Sequence, residues 1–307
     1  MNRGDVAPGQ FSAELPAGLI DELRSGGLDP AAVIDQITSA VAEDLPGNGV
    51  DVTSVATIPP DAQAVGEFGA RESGVVAGLH IAALVFHHVM GSQVAITHRL
   101  PEGSPVRAGQ IVMRVSGSTR GLLTAERTAL NFASHLSGIA TATASWVAAI
   151  EGTSANVLDT RKTLPNYRAL QKYAVRCGGG VNHRMSLGDM AMIKDNHVIA
   201  AGGVVPAYEL VRAAYPELPV VVEVTTLEQL RALLAVGCAR ILLDNMSNQA
   251  MAEAVRITAG RATLEASGGL TLERARSVAE TGVDLISVGA LTHSVRVFDI
   301  GMDLLES

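Results

Sequence analysis

The sequence comprises 307 residues, of which 48% are hydrophobic and 18% charged, so it is long enough to bury a sizeable core and does not have a disordered composition. Its formal net charge of −8 argues against a nucleic-acid-binding protein, because phosphate neutralisation needs a basic surface. Neither a membrane-spanning apolar stretch nor the apolar core of a signal peptide is recognisable. Cys177 and Cys238 lack ligand-like spacing, as expected in a reducing compartment. We therefore expect a cytoplasmic protein that binds neither nucleic acid nor membrane.

The first half of the chain has an α+β pattern. Residues 1–25 carry no motif and are expected to form a flexible extension. The periodic segment from about Pro30 to Glu43 predicts a helix, and HIAALVFHHVM predicts a second one. Four glycine-punctuated segments predict strands: AVGEFGA, SGVVAG, QVAITHRL and GQIVMRVSG. Strands that are grouped in this way, rather than alternating strictly with helices, indicate an α+β domain.

A long helical pattern runs from near Thr119 towards Glu151. It is too long for an ordinary surface helix, and Ser137 and Gly138 interrupt it. We therefore expect a connecting helix between two halves of the chain, bent or broken at Gly138.

The second half alternates short apolar runs with helical segments. Six runs predict buried strands: 155–158, 190–193, 220–224, 241–243, 262–265 and 285–288. The last four recur roughly every 20 residues, close to the minimum for a strand–helix unit. This pattern indicates a parallel sheet, and the number of units favours a closed or nearly closed barrel. A doubly wound open sheet is the alternative, although no Gly-x-Gly-x-x-Gly motif follows the first strand.

Charged residues or small-residue loops follow nearly all of these runs. In α/β barrels the catalytic groups lie at this end of the strands. The residues concerned are Asp159, Arg161, Lys162, Lys194, Glu223, Asp244 and the loops 267–269 and 289–290. Between residues 159 and 197, seven Lys or Arg stand against three Asp, a net charge of +4 in an acidic chain, which indicates an anion-binding site. The spacing of Arg168, Lys172 and Arg176 also fits a solvated helix face, so their role stays open.

Glycine clusters and two carboxylates refine this hypothesis. The segments EASGGL and SVGALTHS each follow a predicted strand and precede a helix, an arrangement that suits a phosphate group. CGGGVNHR allows a tight turn before His183 and Arg184. Glu223 and Asp244 can hydrogen-bond a ribose diol or hold Mg²⁺. Together these features predict a site for a phosphorylated sugar with a metal.

Several long motifs, in this order, resemble the quinolinate phosphoribosyltransferase family: ERTALNFASHLSGIAT, DTRKTLP, KYAV, GGGVNHR, IKDNH, VEV, LLDNM, ASGG and SVGALTHS. EDLPGNGVDVTS and ESGVVAG also look like this family, so the resemblance extends from about Glu43 onward. It implies the α/β fold of a type II phosphoribosyltransferase. An N-terminal α/β sandwich domain would span residues 26–137 and be joined by residues 295–307, and an open seven-stranded α/β barrel would span residues 138–294.

The resemblance also implies the reaction. Phosphoribosyl pyrophosphate and quinolinate would give nicotinate mononucleotide, pyrophosphate and CO₂ with Mg²⁺, a step of de novo NAD biosynthesis. It further implies a homodimer in which Arg127 reaches the site of the neighbouring subunit, with a hexamer of dimers as a further assembly.

Site residues follow from the resemblance by position. Residues around the substrate carboxylates would be Arg161, Lys162, His183 and Arg184, and Thr160 would also bind substrate. Lys194 would lie near the pyrophosphate, and Glu223 and Asp244 would face the ribose hydroxyls and Mg²⁺. The 5′-phosphate would be held by Ser267, Gly268, Gly269, Val288, Gly289 and Ala290. The catalytic residues would be Lys162, Lys194, Glu223 and Asp244. Asp159 receives no catalytic role.

Three other functions remain as alternatives. A molybdenum-transport-associated paralogue of the same fold shares the motif around RKT, but Lys172 and Lys194 argue against it. An aldolase would use Lys194 as a Schiff-base nucleophile. A phosphate or nucleotide sensor would bind the same ligands without turnover.

Overall fold

The structure is a computed structural model, and it describes residues 15–47 and 49–305. The described chain divides into two compact units. The first runs to Thr141 and resumes at Arg296, and the second spans Ala142–Val295. The first division thus falls four residues after the expected end of the N-terminal domain at residue 137.

The first unit has helices and an antiparallel sheet. Its elements are α1 (Ala17–Ser25), α2 (Pro30–Asp44), α3 (Val52–Thr57), β1 (Gln63–Ala70), β2 (Gly74–Val75), α4 (Leu79–Met90), a 3₁₀ helix (Gly91–Gln93), β3 (Ala95–Arg99), β4 (Pro105–Val106), β5 (Ile111–Ser118) and the first part of α5 (Thr119–Ala149). Each of the two helices and four strands expected before residue 119 is present.

The sheet of this unit also includes a strand from the C-terminal segment. The second unit contributes the elements β6 to β11, so this strand is β12 (Ile300–Leu304). The order is β12-β1-β5-β3, with β1 antiparallel to both neighbours. Helix α4 is buried along almost its whole length, and Phe86 packs edge-on against Phe68 of β1 with ring centroids 5.8 Å apart. The Glu102 carboxylate accepts hydrogen bonds from the amides of Gly78 and His80, which satisfies the free N–H groups at the start of α4.

The expected N-terminal extension is wrong for residues 17–25. They form helix α1, because AGLIDELRS places Leu19 and Leu23 on one buried face, and Glu22 pairs with Arg99 at 2.6 Å. Residues 1–14 of the expected extension lie outside the described residues.

The predicted break of the connecting helix is also wrong. Helix α5 runs for 31 residues without interruption. A Cβ atom on Gly138 would lie 2.2 Å from the carbonyl oxygen of Arg296. Next to it, the Phe298 amide donates to the Ser134 carbonyl at 3.1 Å. Gly138 therefore allows the C-terminal segment to approach the helix backbone.

The second unit alternates strands and helices as expected. Its elements are β6 (Asn156–Leu158), α6 (Arg168–Cys177), β7 (Ala191–Ile193), α7 (Asp195–Ala201), α8 (Val204–Ala214), β8 (Val220–Val224), α9 (Leu227–Ala235), β9 (Arg240–Asp244), α10 (Asn248–Thr258), β10 (Thr263–Ser267), α11 (Leu272–Ala279), β11 (Leu285–Ser287) and α12 (Ala290–His293). All six predicted runs are strands.

The strand order identifies an open α/β barrel. The parallel sheet has the order β6-β11-β10-β9-β8-β7, so the first strand of the unit lies beside the last. A doubly wound sheet would instead reverse its order from a central strand. The resemblance implies seven strands, whereas the described sheet has six; Val181 forms one isolated parallel bridge with Leu158 at the free edge of β6. None of the described helices is long and apolar enough to cross a membrane.

Candidate active site

A cavity of about 490 Å³ opens at the C-terminal ends of the barrel strands. It brings together eleven of the residues expected at the site: Thr160, Arg161, Lys162, His183, Arg184, Lys194, Glu223, Asp244, Ser267, Gly268 and Gly269. Five further residues line it: Met192, Leu242, Asn245, Glu265 and Ser287. Asp244, Ser267 and Ser287 are the last residues of β9, β10 and β11, which places their side chains at one edge of the sheet.

One wall of the cavity carries two arginines. Burial lowers the pKa of Arg184, and the positive charge of Arg161 lowers it further. Arg184 is fixed by a hydrogen bond from Nη1 to the Met190 carbonyl at 2.7 Å. The Nε atom of Arg161 is buried and has no hydrogen-bond partner among the described residues. Two neighbouring guanidinium groups with an unsatisfied buried donor form a site that an anion would complete.

Two carboxylates lie on neighbouring strands. Glu223 is on β8 beside Leu242 of β9, and Asp244 ends β9. Burial raises the pKa of Glu223, and the negative charge of Asp244 adds to this effect, while Lys194 opposes it. The Nζ atom of Lys194 lies 3.6 Å from Oε2 of Glu223. The cavity therefore has two arginines on one wall, which we call the cationic wall, and two adjacent carboxylates. Lys194 lies next to Glu223.

The loops after β9 and β10 are packed closely against each other. Asn245, with a φ of 53°, donates its amide to the Ser267 carbonyl at 2.9 Å. Its side-chain Nδ2 donates to Asp244 at 2.9 Å. Gly268 has a φ of 94°, and a Cβ atom there would lie 2.4 Å from Oδ1 of Asn245. Glycine is therefore required at residue 268 both by its backbone conformation and by this contact.

The second predicted phosphate loop, residues 288–290, is only partly suited to that role. The Val288 side chain is buried, and its amide donates to the Leu158 carbonyl at 2.9 Å. The Val288 N–H group is therefore already used by the parallel sheet, and the expectation that residues 288–290 hold a phosphate stays a prediction. Gly289 is closer to the site, since a Cβ atom there would lie 3.1 Å from Cδ of Lys162. Ala290 is exposed and begins the short helix α12.

Glu265 is a cavity residue that the sequence analysis missed. It lies in the middle of β10, is fully buried, and pairs with Arg240 at 2.6 Å through Oε2. Its Oε1 accepts a hydrogen bond from Ser287 and lies 3.3 Å from Nε2 of His183. Burial alone would raise the pKa of Glu265, but His183, Arg240 and Ser287 outweigh this effect and lower the pKa to about 2. The only sequence signal was a carboxylate inside an apolar run of a sheet buried on both faces.

The same contacts define the tautomer of His183. Its Nδ1 accepts a hydrogen bond from the Arg184 amide at 2.7 Å, so this nitrogen carries no proton. The ring proton of the neutral imidazole is therefore on Nε2, which faces Glu265. His183 and Arg184 are thus coupled to the carboxylate at the floor of the cavity.

The three cations of helix α6, Arg168, Lys172 and Arg176, do not form the single solvated helix face that their spacing also fits. Lys172 is fully buried, and its Nζ pairs with Asp159. Arg168 donates to Thr163 at 3.1 Å and to the Met185 carbonyl at 2.9 Å. Arg176 is exposed at the surface and contacts Asn182. Of the three cations, Lys172 and Arg168 therefore support the loops that line the cavity.

Arg127 lies in the first unit, exposed on α5, whereas all residues that line the cavity belong to the second unit. On either side of it, Thr124 and Thr128 donate hydrogen bonds to Asp51 and Asp44 at 3.3 and 2.9 Å. Asp44 and Asp51 are thereby fixed to the helix surface around Arg127.

An α/β barrel with two arginines, adjacent carboxylates and a glycine loop at its strand ends has the features expected of a phosphoribosyl-transferring enzyme. Two family models match the chain: the N-terminal domain of quinolinate phosphoribosyl transferase over residues 51–137 and its C-terminal domain over residues 139–303. The chain belongs to the quinolinate phosphoribosyl transferase family.

Individual relatives agree with this family. The chain is 53% identical over 277 residues to a carboxylating nicotinate-nucleotide pyrophosphorylase of Mycobacterium leprae, covering 89% of this chain and 97% of the relative. It is 41% identical over 287 residues to a chloroplastic protein of the same name from Arabidopsis thaliana, covering 87% and 81%. The solved nicotinate-nucleotide pyrophosphorylase of Francisella tularensis superposes with a TM-score of 0.86 at 35% identity, covering 91% of this chain and 98% of that one.

Proposed function

We propose that this cavity transfers the phosphoribosyl group of phosphoribosyl pyrophosphate to the nitrogen of quinolinate, with release of pyrophosphate and CO₂. The product is nicotinate mononucleotide, and the protein acts in NAD biosynthesis. Family membership and the names of the relatives support this activity. Because these relatives are named for this activity, we prefer it to the paralogue, aldolase and sensor alternatives.

The observation that carries the proposal is the pair formed by Arg161 and Arg184. Each guanidinium offers a planar set of donors that matches a carboxylate, and quinolinate has two carboxylates on adjacent ring carbons. The buried Nε of Arg161, which lacks a partner among the described residues, is a donor available to one of them. Lys162, exposed at the same cavity, adds a third positive charge.

The phosphoribosyl donor occupies the other wall. Backbone amides of residues 267–269 hold the 5′-phosphate, with Gly268 allowing the backbone to approach closely. Glu223 and Asp244 face the ribose hydroxyls. Lys194 stabilises the departing pyrophosphate and balances the charge of Glu223.

The reaction then needs no covalent enzyme intermediate. The pyridine nitrogen forms a bond to the anomeric carbon while the bond to pyrophosphate breaks, and the leaving group keeps the electron pair. Positive charge develops on the ribose ring, where Glu223 and Asp244 stabilise it electrostatically. The resulting pyridinium accepts the electron pair released when the carboxylate at ring carbon 2 leaves as CO₂, and that carbon then takes up a proton.

Mg²⁺ fits this site as a metal that arrives with the substrate. In the described part of the chain, no three His, Cys, Asp or Glu side chains cluster as metal ligands. Glu223 and Asp244 offer two neighbouring carboxylates, which is the usual protein contribution when Mg²⁺ is shared with substrate phosphates. When bound, the ion would neutralise charge on the pyrophosphate.

We also propose a homodimer in which Arg127 completes the site of the partner subunit. Arg127 is exposed, and the nearby segment that Asp51 anchors carries exposed Val50 and Val52, of which Val52 is 71% exposed. Exposed apolar side chains around an arginine are typical of a subunit interface. A hexamer of dimers is the further assembly that this proposal includes.

Turnover tests the function directly. Purified protein with Mg²⁺ should release pyrophosphate only when quinolinate and phosphoribosyl pyrophosphate are both present. Binding of either ligand without turnover would favour a sensor, and borohydride trapping of a carbonyl substrate on Lys194 would favour an aldolase.

We expect the enzyme in the cytoplasm, where the buried thiol of Cys238 would stay reduced, and cell fractionation checks this.

Mixing Arg127→Ala and Arg161→Ala subunits tests the shared site. Each homodimer should be inactive, whereas a heterodimer should contain one site with both arginines intact. No recovery of activity after demonstrated subunit exchange would contradict the role of Arg127 in the partner.

A further inference from the structure

A buried ion pair joins the end of β6 to helix α6, two residues before Arg161 of the cavity. Asp159 follows the last residue of β6, and Lys172 is in the middle of α6. Both side chains are 0% exposed, and Lys172 Nζ contacts Oδ1 of Asp159. With no exposed surface, Lys172 cannot touch a substrate, so the pair acts only through the residues that it holds.

The pair holds both backbone polar groups of His183. The His183 amide donates to Oδ1 of Asp159 at 2.8 Å, and the His183 carbonyl accepts from Nζ of Lys172 at 2.9 Å. Asn182, the preceding residue, donates from Nδ2 to Oδ2 of Asp159 at 2.5 Å. Both peptide bonds of His183 are thus fixed by one acid and one base that also neutralise each other.

His183 transmits this constraint to the substrate site. Its ring accepts the Arg184 amide hydrogen bond at 2.7 Å and faces Glu265 on the opposite side. The orientation of His183 therefore fixes the backbone N–H group of Arg184. The guanidinium of this arginine lies in the cationic wall. The carboxylates Glu223 and Asp244 and the loop 267–269 are on other strands and receive no hydrogen bond from Asp159 or Lys172.

A buried ion pair is a poor device for stability alone, because apolar residues of similar volume often serve as well. What an apolar pair cannot do is hold an amide and a carbonyl in defined directions. The choice of a charged pair at this position therefore indicates a requirement for geometry.

We propose that Asp159 and Lys172 are positioning residues that orient His183 and Arg184 for the dicarboxylate, and that they set affinity for this substrate without setting affinity for the phosphoribosyl donor. This inference rests on the proposed function, since it assumes that the cationic wall binds quinolinate.

The test is to measure binding of quinolinate and of phosphoribosyl pyrophosphate separately by calorimetry, together with KM for each substrate and kcat. In Lys172→Met, which removes the charge and keeps most of the side-chain volume, we expect the Kd and KM of quinolinate to rise by about 100-fold, as for a displaced binding group. The corresponding values for the donor should stay within about threefold.

A second variant and a control guard against a trivial loss of folding. Asp159→Asn keeps an oxygen acceptor for the His183 amide, so it should fold and show a smaller rise in the quinolinate constants. Val278→Ala, a buried change on α11 in the same unit, serves as the control for lowered stability and should leave both Kd values unchanged. Lys172→Arg, which retains a charged donor, should recover part of the lost quinolinate affinity.

The outcomes are distinguishable. A folded Lys172→Met or Asp159→Asn that binds quinolinate like the wild type overturns the inference, as does an equal loss of affinity for both substrates. If Lys172→Met does not fold, the result for Asp159→Asn decides. A wild-type protein that binds the donor but no quinolinate refutes the proposed function itself, independently of the variants.

Discussion

The Nε2 atom of His183 lies 3.3 Å from Oε1 of Glu265, although 82 residues separate them in the chain. His183 belongs to the glycine-rich turn before Arg184, whereas Glu265 is the central residue of β10. Their contact joins the cationic wall of the cavity to its floor. It makes Glu265, together with Arg240, part of the support of this cavity.

Glu265 should make stability depend on pH in the acid range. Because its pKa in the folded protein is lowered to about 2 from 4.5, its contribution is complete above the unfolded value and is lost as the pH falls from about 4.5 towards 2. The loss should reach at most about 3 kcal/mol. Chemical denaturation at several pH values checks this in wild type and Glu265→Gln, which should show a flatter pH dependence.

Glu217→Gln is the matched control, because Glu217 is exposed on the same unit. This change should leave the acid slope of the free energy of unfolding as in the wild type. An equally steep slope in Glu265→Gln would show that other carboxylates cause the acid sensitivity.

Arg161 should be irreplaceable by lysine. Lysine keeps the charge but loses the planar donor set, so Arg161→Lys should raise KM for quinolinate by about 10- to 100-fold. KM for phosphoribosyl pyrophosphate should change little. Steady-state kinetics with each substrate varied checks this, with the exposed Arg212→Lys as the control. A similar rise in both KM values would place Arg161 outside the dicarboxylate site.

Glu223 and Asp244 should act mainly on kcat. In the proposed mechanism their charge stabilises a ribose that becomes positive only in the transition state, so Glu223→Gln and Asp244→Asn should each lower kcat by about 100-fold. KM for quinolinate should stay near the wild-type value, and the Mg²⁺ concentration needed for half-maximal activity should rise. The control Glu228→Gln, at an exposed residue, should change neither kcat nor the Mg²⁺ concentration needed for half-maximal activity. Unchanged kcat in both site variants would remove the carboxylates from the mechanism.

Gly268 and Gly237 separate the effect of a contact from that of backbone conformation. Both have positive φ, 94° and 75°, but a Cβ atom would meet Asn245 only at Gly268, whereas nothing lies within 4 Å at Gly237. Gly237→Ala should therefore cost about 1 kcal/mol of stability and leave kinetics intact. Gly268→Ala should cost more and also raise KM for phosphoribosyl pyrophosphate. Equal thermal shifts with normal kinetics in both variants would argue against a phosphate at residues 267–269.

Most of the barrel could be predicted because its signals are local and repeated. Glu223 is the penultimate residue of the run Val220–Val224, and Asp244 directly follows the run Ile241–Leu243. The regular spacing of the strands therefore predicts that both carboxylates lie at one edge of the sheet. The motifs that resemble the family added the roles of these residues. Eleven predicted site residues accordingly meet in one cavity.

The remaining features depend on contacts that spacing does not encode. Lys172 follows Arg168 by four residues, the spacing of two cations on one exposed helix face. Only the structure shows that Lys172 is buried in contact with Asp159. Gly138 in a helical pattern predicts a break, because the sequence does not show that the Arg296 carbonyl lies against this residue. The Val288 amide is used by the sheet, which a loop motif cannot reveal.

The measurement that tests the central claim most directly is the stoichiometry of the products formed with quinolinate and with nicotinic acid. With Mg²⁺ and phosphoribosyl pyrophosphate, each quinolinate consumed should yield equal amounts of CO₂, pyrophosphate and nicotinate mononucleotide. Nicotinic acid, which lacks the second carboxylate, should react far more slowly. Equal rates with nicotinic acid, or pyrophosphate release without CO₂, would contradict a cavity built around Arg161 and Arg184 for a dicarboxylate.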